Sequence, residues 1–360
     1  MKTRIKFMTF ILFLVGFTSC QGNTKNSEKL LVKNHEKVNP ASKKFIKVAL
    51  LLDTSNSMDG LIDQAKAQLW EIVNELSYAK CDDSKPNLQI ALYEYGNDNL
   101  SSEEGYIRQV LGFSQDLDEI SKELFSLTTQ GGNEFCGQAI KTSLNQLKWE
   151  GNSNDLKLIF IAGNEPFTQG KVNYMDAGEL AQQKDVTINT IFCGDYNQGV
   201  SGYWKAGADI TKGNYIAIDH NAITHHEASP YDDAILDLNQ KLNKTYAAYG
   251  VKGRQKLAIQ AEQDANAKGY SEANAVSRAV SKSSHLYKNK SWDLIDAMED
   301  ESFRIEDLKE HELPQELRGK STSEIKSYLS KKQAERILIK DQIQELNLKR
   351  KQYVLCLLYT

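Results

Sequence analysis

From residue 45 onward the sequence alternates short apolar runs with longer amphipathic stretches, and this alternation constrains the fold more than any other feature. FIKVALLLD is a nearly continuous apolar run, typical of a buried strand, and LIDQAKAQLWEIVNEL after it has apolar residues at helical spacing. LQIALYEYG, LKLIFIAG and TINTIFCG repeat the strand pattern. The alternation indicates an α/β fold, with a doubly wound, mainly parallel sheet, helices on both faces and one hairpin-like edge strand.

The sequence beyond about residue 250 predicts a different organisation. It is polar, rich in Ala and Lys, and has few strand-like runs, so we expect helices with an interruption near Gly269. From Thr322 to Tyr353 apolar residues recur every three or four positions, which predicts a long amphipathic or coiled-coil-like helix. We therefore divide the ordered chain into an α/β domain at residues 45–250 and a helical extension at residues 251–360.

The N-terminus has the features of an export signal. Three basic residues precede the apolar run FMTFILFLVGF, which is too short to span a bilayer as a folded helix. The run ends in FTSC, which resembles the lipobox of bacterial lipoproteins, where cleavage leaves the cysteine, here Cys20, as the acylated N-terminus. An ordinary signal peptide with a chance cysteine is the alternative. We expect a signal peptide at residues 1–20, a flexible tether at 21–44, and a lipid-anchored protein of the cell envelope, periplasmic or associated with the outer membrane.

The overall charge argues against nucleic acid as a partner. The formal net charge is -4 and the pI is about 6.0, so the chain has no large basic excess to neutralise phosphates. P-loop, GxSxG and GxGxxG motifs are also absent from the sequence. Common nucleotide-dependent and hydrolase chemistries are therefore not indicated.

The stretch DTSNS directly follows the first predicted strand and is the strongest candidate for a functional site. In such a sheet the binding crevice lies outside the carboxyl ends of the strands. Asp53, Ser55 and Ser57 are spaced so that one carboxylate and two hydroxyls point the same way from an extended loop. Oxygen ligands of this kind suit Mg²⁺ or Mn²⁺ before Zn²⁺. The alternative is that Ser57 or Asp59 simply caps the following helix.

This DxSxS motif, followed by Met58 and a helix containing AKAQL, resembles the metal-ion-dependent adhesion site of von Willebrand factor type A domains. The family has the same alternation of strands and helices, so the resemblance covers about residues 45–250. It implies that Asp53, Ser55 and Ser57 bind the metal, that a second loop adds a Thr, and that a third adds an Asp. In the family an acidic group from a protein partner completes the coordination.

The second and third loops depart from the family pattern. The second reads TTQGGNEFCG, with Asn133 and Glu134 after the glycine pair, and Glu134 is the better candidate ligand. Thr129 is either a further hydroxyl ligand, if the loop folds back, or an ordinary loop residue. The third reads AGNEP, so Gly163 stands where the Asp is expected, and Glu165 is the nearest acid.

These departures change what the metal can offer to a partner. Direct binding by two carboxylates, Asp53 and Glu134, would neutralise a dication before any partner arrives. An acidic partner would then gain less from the metal. We expect binding that is weak, that needs a neutral oxygen donor, or that does not use this site. Asn133 and Glu165 are expected to support the ligands from outside.

Two cysteines should lie on the same rim as the metal. Cys136 opens the helix after the glycine pair and Cys193 closes the strand TINTIFCG. They are either a disulfide or redox-sensitive thiol pair, or two unrelated, partly buried cysteines. Cys81 follows the first helix and belongs at the opposite end of the sheet.

The sequence thus favours a binding or scaffold protein rather than an enzyme, with an unidentified protein partner and a membrane contact through the lipid anchor. An alternative is an envelope redox protein, or a metal-dependent enzyme, that uses Cys136 and Cys193 or metal-bound water at the same rim. A third possibility is that the metal is structural and only holds the first loop in shape.

Overall fold

The computed structural model describes residues 44–78, 85–151, 155–219 and 228–359. The predicted signal peptide, the tether before Lys44, Cys20 and Cys81 lie outside these ranges. Within them, no helix combines the length and the apolar character needed to cross a bilayer.

One sheet organises the first half of the chain. Its strands are β1 (Phe45–Asp53), β2 (Asn87–Tyr95), β3 (Ile107–Ser114), β4 (Leu156–Gly163), β5 (Thr187–Cys193) and β6 (Tyr215–Ile218). The order across the sheet is β3-β2-β1-β4-β5-β6, and every neighbouring pair is parallel except β2 and β3. This confirms the predicted α/β fold with a single antiparallel edge strand among the described residues.

Helices follow most of the strands and make up nearly all of the regular structure after residue 228. They are α1 (Asp59–Ser77), α2 (Leu117–Phe125), α3 (Cys136–Gln146), α4 (Tyr174–Gln183), α5 (Tyr196–Ser201), α6 (Trp204–Asp209), α7 (Asp232–Asn243), α8 (Gly250–Tyr270), α9 (Glu272–Ser283), α10 (Leu294–Ala297) and α11 (Thr322–Tyr359). The predicted interruption near Gly269 falls between α8 and α9, where Ser271 caps the second helix by accepting from the Asn274 amide. The predicted long C-terminal helix is α11, which extends beyond Tyr353.

Each face of the sheet is covered by a different helical layer. On one face α3, α4 and α6 pack around a core that includes Ile140, Ile161 and Trp204. On the other face α1 and α2 pack in a core that continues into the C-terminal helices, where Val276 and Ile343 are buried. Helix α9 contacts α1, α8 contacts α2, and α11 contacts α7 and α9. Helix α9 and the middle of α11 therefore share one hydrophobic core with the α/β part, whereas Leu294 to Leu329 contribute to a separate, smaller cluster.

A buried ionic cluster joins the two parts. The Arg278 guanidinium of α9 lies 2.9 Å from Asp118 of α2 and 2.5 Å from Asp264 of α8. Lys282 lies 2.9 Å from the second Asp264 oxygen. The Tyr287 hydroxyl donates to Asp118 at 2.5 Å. Because buried charges are tolerated when they are paired in this way, the cluster fixes how the C-terminal helices sit on the sheet domain.

Helix α11 is held by a second buried arginine. Arg336 pairs with Asp293 at 2.6 Å and Asp296 at 2.7 Å, and donates to the Thr245 carbonyl at 2.9 Å. Its guanidinium also lies 4.2 Å from the centre of the Tyr246 ring. The long helix is therefore attached through specific polar contacts as well as through its apolar side.

Candidate metal site

The candidate site lies at the carboxyl ends of β1, β2 and β4. Asp53, the last residue of β1, is in register with Tyr95, the last residue of β2. The Thr54 amide donates to the Tyr95 carbonyl at 2.8 Å, and the Gln130 amide donates to the Thr54 carbonyl at 3.0 Å. These backbone bonds hold the second predicted loop against the first.

The first loop brings its three oxygen-bearing side chains together, as the alternate spacing predicts. Asp53 is fully buried, and its Oδ1 accepts from the Ser55 amide at 2.8 Å. The Ser55 and Ser57 hydroxyls are 3.2 Å apart, and Nδ2 of the Asn164 side chain in the third loop donates to the Ser57 hydroxyl at 3.2 Å. Ser57 is exposed, so the group opens to solvent at this end.

Helix capping does not explain this arrangement. A short 3₁₀ turn at Asn56–Met58 precedes α1, and neither element has a side-chain hydrogen bond at its N-cap. The Ser55 side chain instead hydrogen-bonds to the carboxyls of Asp53 and Glu134. The Ser57 hydroxyl contacts that of Ser55 and the third loop. The capping alternative for Ser57 or Asp59 is not what the structure shows.

Glu134 is buried beside Asp53. The side chain of Glu134 is 4% exposed, and its amide donates to the Gln169 side chain at 2.9 Å, which ties the second loop to the third. Burial, a hydrogen bond with Glu134 and the charge of Glu134 all raise the pKa of the Asp53 carboxyl well above its usual range. Burial likewise raises the pKa of Glu134. Two carboxyls in contact repel each other when both are ionised, so one of them keeps its proton unless a cation lies between them.

This pair fits a bound cation. Oδ2 of Asp53 and Oε2 of Glu134 are buried without a hydrogen-bond partner among the described residues, which is costly for carboxylate oxygens. A divalent cation would satisfy both oxygens and remove the repulsion. The candidate ligands are two acids, Asp53 and Glu134, and two hydroxyls, Ser55 and Ser57. The described ranges contain no group of three or more His, Cys, Asp and Glu residues placed for a metal. Oxygen donors alone suit a hard cation such as Mg²⁺ or Mn²⁺.

Gly96 makes room for the carboxyl pair. It follows β2 with φ of +80°, a backbone conformation that glycine adopts without strain. A Cβ at this position would lie 2.7 Å from Asp53 Oδ1 and 2.8 Å from Glu134 Cγ. Any larger residue would therefore push the two acids out of place.

The remaining predicted site residues take different positions. The Thr129 hydroxyl donates to the Asp59 carboxylate and so is not bonded to the acid pair. Asn133 is exposed. Glu165 is near Glu134, since its charge raises the pKa of Glu134 while its backbone hydrogen bond lowers it. Of these residues, Glu165 is the one whose contact with the pair is evident.

Sequence reasoning missed the contribution of β2. Tyr95 is buried at the centre of the site, and its hydroxyl donates to the Ala162 carbonyl at 2.9 Å. Gly96, next along the chain, lies against both acids. The available signal was the YEYG ending of a predicted strand, but its use requires knowing that this strand neighbours β1 in the sheet.

The two cysteines of the rim are buried thiols. Cys136 begins α3 and Cys193 ends β5, as predicted, and neither forms a disulfide within the described residues. The Cys136 sulfur lies 3.8 Å from the Tyr95 hydroxyl. Burial raises the pKa of both thiols, whereas a redox-active cysteine needs a lowered pKa. The local environment therefore does not favour thiol chemistry.

A groove runs along the same rim, between the loops that follow β4 and β5. It encloses about 510 Å³ and is lined mainly by Pro166, Thr168, Asp195, Asn197, Gln198 and Tyr203. Two tyrosines stand out into solvent beside it, since Tyr196 is 52% and Tyr203 is 51% exposed. Tyr203 adopts a left-handed backbone conformation, with φ of 69°. The rim thus combines the carboxyl pair with an aromatic, partly acidic surface.

Comparison with solved structures returns proteins of low sequence identity. BatB from Bacteroides thetaiotaomicron is 16% identical, with 48% of this chain and 90% of that chain covered and a TM-score of 0.37. The SpRpn10 VWA domain is also 16% identical, with 48% and 87% covered and a TM-score of 0.36. Proximal thread matrix protein 1 from the mussel byssus, solved with a zinc-occupied MIDAS motif, is 12% identical, with 51% and 43% covered and a TM-score of 0.38. The search of curated proteins finds no significant match.

The comparison with protein families matches one continuous segment of the chain. The model of the von Willebrand factor type A domain matches residues 47–201, which run from β1 to the end of α5 and include the DxSxS loop and Glu134. The expected boundary at residue 250 lies further along and stays a prediction. The chain therefore carries a von Willebrand factor type A domain at residues 47–201.

Proposed function

We propose that this domain binds Mg²⁺ or Mn²⁺ through Asp53, Ser55, Ser57 and Glu134, and uses the cation to bind another protein. The observation that carries the proposal is the contact between two buried carboxyls, each with an unpartnered oxygen, beside two hydroxyls of which one, that of Ser57, is exposed to solvent. The cation would supply an open coordination position for an oxygen of the partner. The role is binding or scaffolding rather than catalysis.

The charges of the rim bear on the chemistry of the partner. Asp53 and Glu134 together would offset the charge of a dication, and Glu165 adds an acid nearby. A further carboxylate from a partner would therefore meet little net attraction. A neutral donor, such as a backbone carbonyl or a hydroxyl, fits better, and the groove with its exposed tyrosines offers apolar contact around it.

Other predicted residues have supporting roles in the proposal. The Thr129 hydroxyl donates to Asp59, so it is placed outside the proposed ligand set. Asn133 and Glu165 would act from outside the ligand set. Glu165 lies close enough for its charge to affect Glu134.

The proposed location is the cell envelope. Support comes from the sequence, where a basic and apolar export signal ends in a lipobox-like FTSC at Cys20. In a bacterial host, the intact protein should sediment with membranes and carry a fatty-acid label. Cys20→Ser should remove the label and release the protein from the membrane fraction, and a labelled Cys20→Ser protein would refute lipidation at this residue.

Cation binding can be tested by calorimetry and by thermal shift on a soluble form that begins after Cys20. We expect saturable binding of Mg²⁺ and Mn²⁺, complete loss in Asp53→Ala, and at least about tenfold weaker binding in Glu134→Ala. Glu103→Gln, an exposed acid on the loop after β2, is the matched control and should bind as the wild type does. Absence of wild-type binding at millimolar concentrations would refute the proposal.

The protein-binding step needs a separate test, because a cation could also be purely structural. Cross-linking in envelope preparations should capture a partner with Mg²⁺ but not with EDTA, and Asp53→Ala should not capture it. A partner captured equally well by wild type and Asp53→Ala would leave the cation with a structural role.

A further inference from the structure

The third loop of this domain has no room for an acid at its first position. A Cβ built on Gly163 would lie 2.6 Å from the Tyr95 hydroxyl oxygen, 3.1 Å from Asp53 Oδ2 and 3.2 Å from Cη2 of Trp204. The first of these distances is shorter than any normal contact of a side-chain carbon. The Tyr95 hydroxyl thus occupies the space that any side chain at position 163 would need.

Tyr95 cannot easily yield that space. Its ring is 1% exposed in the core under α3, and its backbone is the last residue of β2, paired in register with Asp53. Its hydroxyl donates to the Ala162 carbonyl at 2.9 Å. Moving the phenol would break this hydrogen bond and disturb a close-packed core.

The second acid of the site comes from the other side. Glu134 reaches Asp53 from the second loop, through the space left by the missing Cβ of Gly96. The Gln169 side chain accepts from the Glu134 amide and fixes this approach. The site therefore has two carboxyls, but one of them arrives from the second loop rather than from the third.

We propose that Tyr95 is a positioning residue that decides which loop supplies the second carboxylate of the cation site. Its hydroxyl fills the volume that a side chain at position 163 would need, and Glu134 takes over as the second acid. This inference rests on the proposed function, because it concerns the ligands of the same cation. It further implies that the third loop presents no acid to a partner at position 163.

The steric part can be tested without metal. Gly163→Ala should lower the midpoint of urea unfolding clearly in the wild type and much less in a Tyr95→Phe background, since removal of the hydroxyl removes the shortest contact. Equal shifts in the two backgrounds would overturn the steric argument. Gly151→Ala, at the opposite end of the sheet, is the control and should shift the midpoint equally with and without the Tyr95 hydroxyl.

The cation part is tested by moving the acid. Glu134→Gln should weaken Mg²⁺ binding by at least about tenfold in calorimetry. Addition of Gly163→Asp with Tyr95→Phe should restore at least about tenfold of it, whereas Gly163→Asp with Tyr95 intact should not. Equal recovery with and without the Tyr95 hydroxyl would overturn the role of Tyr95, and so would no recovery in a folded triple variant.

These outcomes separate the two proposals. Lack of Mg²⁺ binding by the wild type would refute the proposed function, and with it any cation role of Tyr95. Normal Mg²⁺ binding by the wild type, together with independent effects of positions 95 and 163, would refute only the inference about Tyr95.

Discussion

Replacement of Arg278 by Met tests whether the buried ionic cluster attaches the C-terminal helices to the sheet domain. Arg278 is 1% exposed, contacts Asp118 and Asp264, donates to the Gln260 carbonyl at 3.0 Å and lies over the Trp70 ring. Met fills a similar volume but leaves its partners without the guanidinium. Loss of one member of a buried pair typically costs about 3–5 kcal/mol, because the remaining charge stays buried.

Loss of the Arg278 guanidinium should affect the two aspartates by different amounts. Asp264 keeps Lys282 and the Asn243 side chain, whereas Asp118 keeps the Tyr287 hydroxyl. Most of the cost should therefore come from Asp118. Adding Asp118→Asn to Arg278→Met removes that stranded charge, so the double variant should be at least about 1 kcal/mol more stable than the sum of the single effects predicts.

Urea unfolding followed by tryptophan fluorescence and circular dichroism measures these free energies. The two signals should change together, because the C-terminal helices and the sheet share one core. Asp118→Asn alone gives the fourth corner of the cycle. If the two substitutions are additive within about 0.5 kcal/mol, the pair does not act as a coupled buried unit and the reasoning is wrong.

Three further predictions follow from individual residues. Gly96→Ala should weaken Mg²⁺ binding by at least about tenfold in calorimetry because its Cβ would displace the carboxyl pair. Gly105→Ala is the control, because Gly105 has a similar φ of +82° but lies against the flexible Gln138 side chain. It should lose stability from the backbone conformation but keep normal Mg²⁺ binding. Burial lowers the pKa of Lys282 from 10.5 to about 8, so between these pH values the unfolded chain holds a proton that the folded chain has released. The free energy of unfolding of the wild type should therefore rise with pH across this interval relative to Lys282→Met, by roughly 3 kcal/mol in total, and a flat difference between the two denaturation series would contradict the depressed pKa. Cys136 and Cys193 should resist alkylation at pH 8 until the protein is unfolded, as mapped by mass spectrometry, and rapid labelling of both in the native state would revive the redox alternative.

Local pattern accounts for what could be predicted. The alternation of strands and helices, the antiparallel edge strand and the convergence of Asp53, Ser55 and Ser57 all depend on periodicities of a few residues. The helix break near Gly269 and the long helix from Thr322 are of the same kind. These features need no knowledge of what lies across the sheet.

Features that depend on distant neighbours could not be predicted. Nothing local to Tyr95 indicates that β2 lies beside β1, or that the phenol fills the space next to Gly163. The hydrogen bond between Thr129 and Asp59 likewise depends on the fold of two separate loops. The spacing of apolar residues after residue 250 predicted helices correctly. It did not predict which helices of the sheet domain they pack against, namely α1 and α2.

The direction of β1 has a consequence for how the site is presented. The chain enters the sheet at Phe45 and reaches Asp53 at the far end of this nine-residue strand, eight steps and about 26 Å away at ~3.3 Å per residue. Phe45, where the described chain enters the sheet, and the carboxyl pair at Asp53 thus lie at opposite ends of this strand. With the proposed anchor at Cys20, the tether would join the domain at the end of the sheet away from Ser57, Tyr196 and Tyr203, so attachment to a membrane would not obstruct these residues.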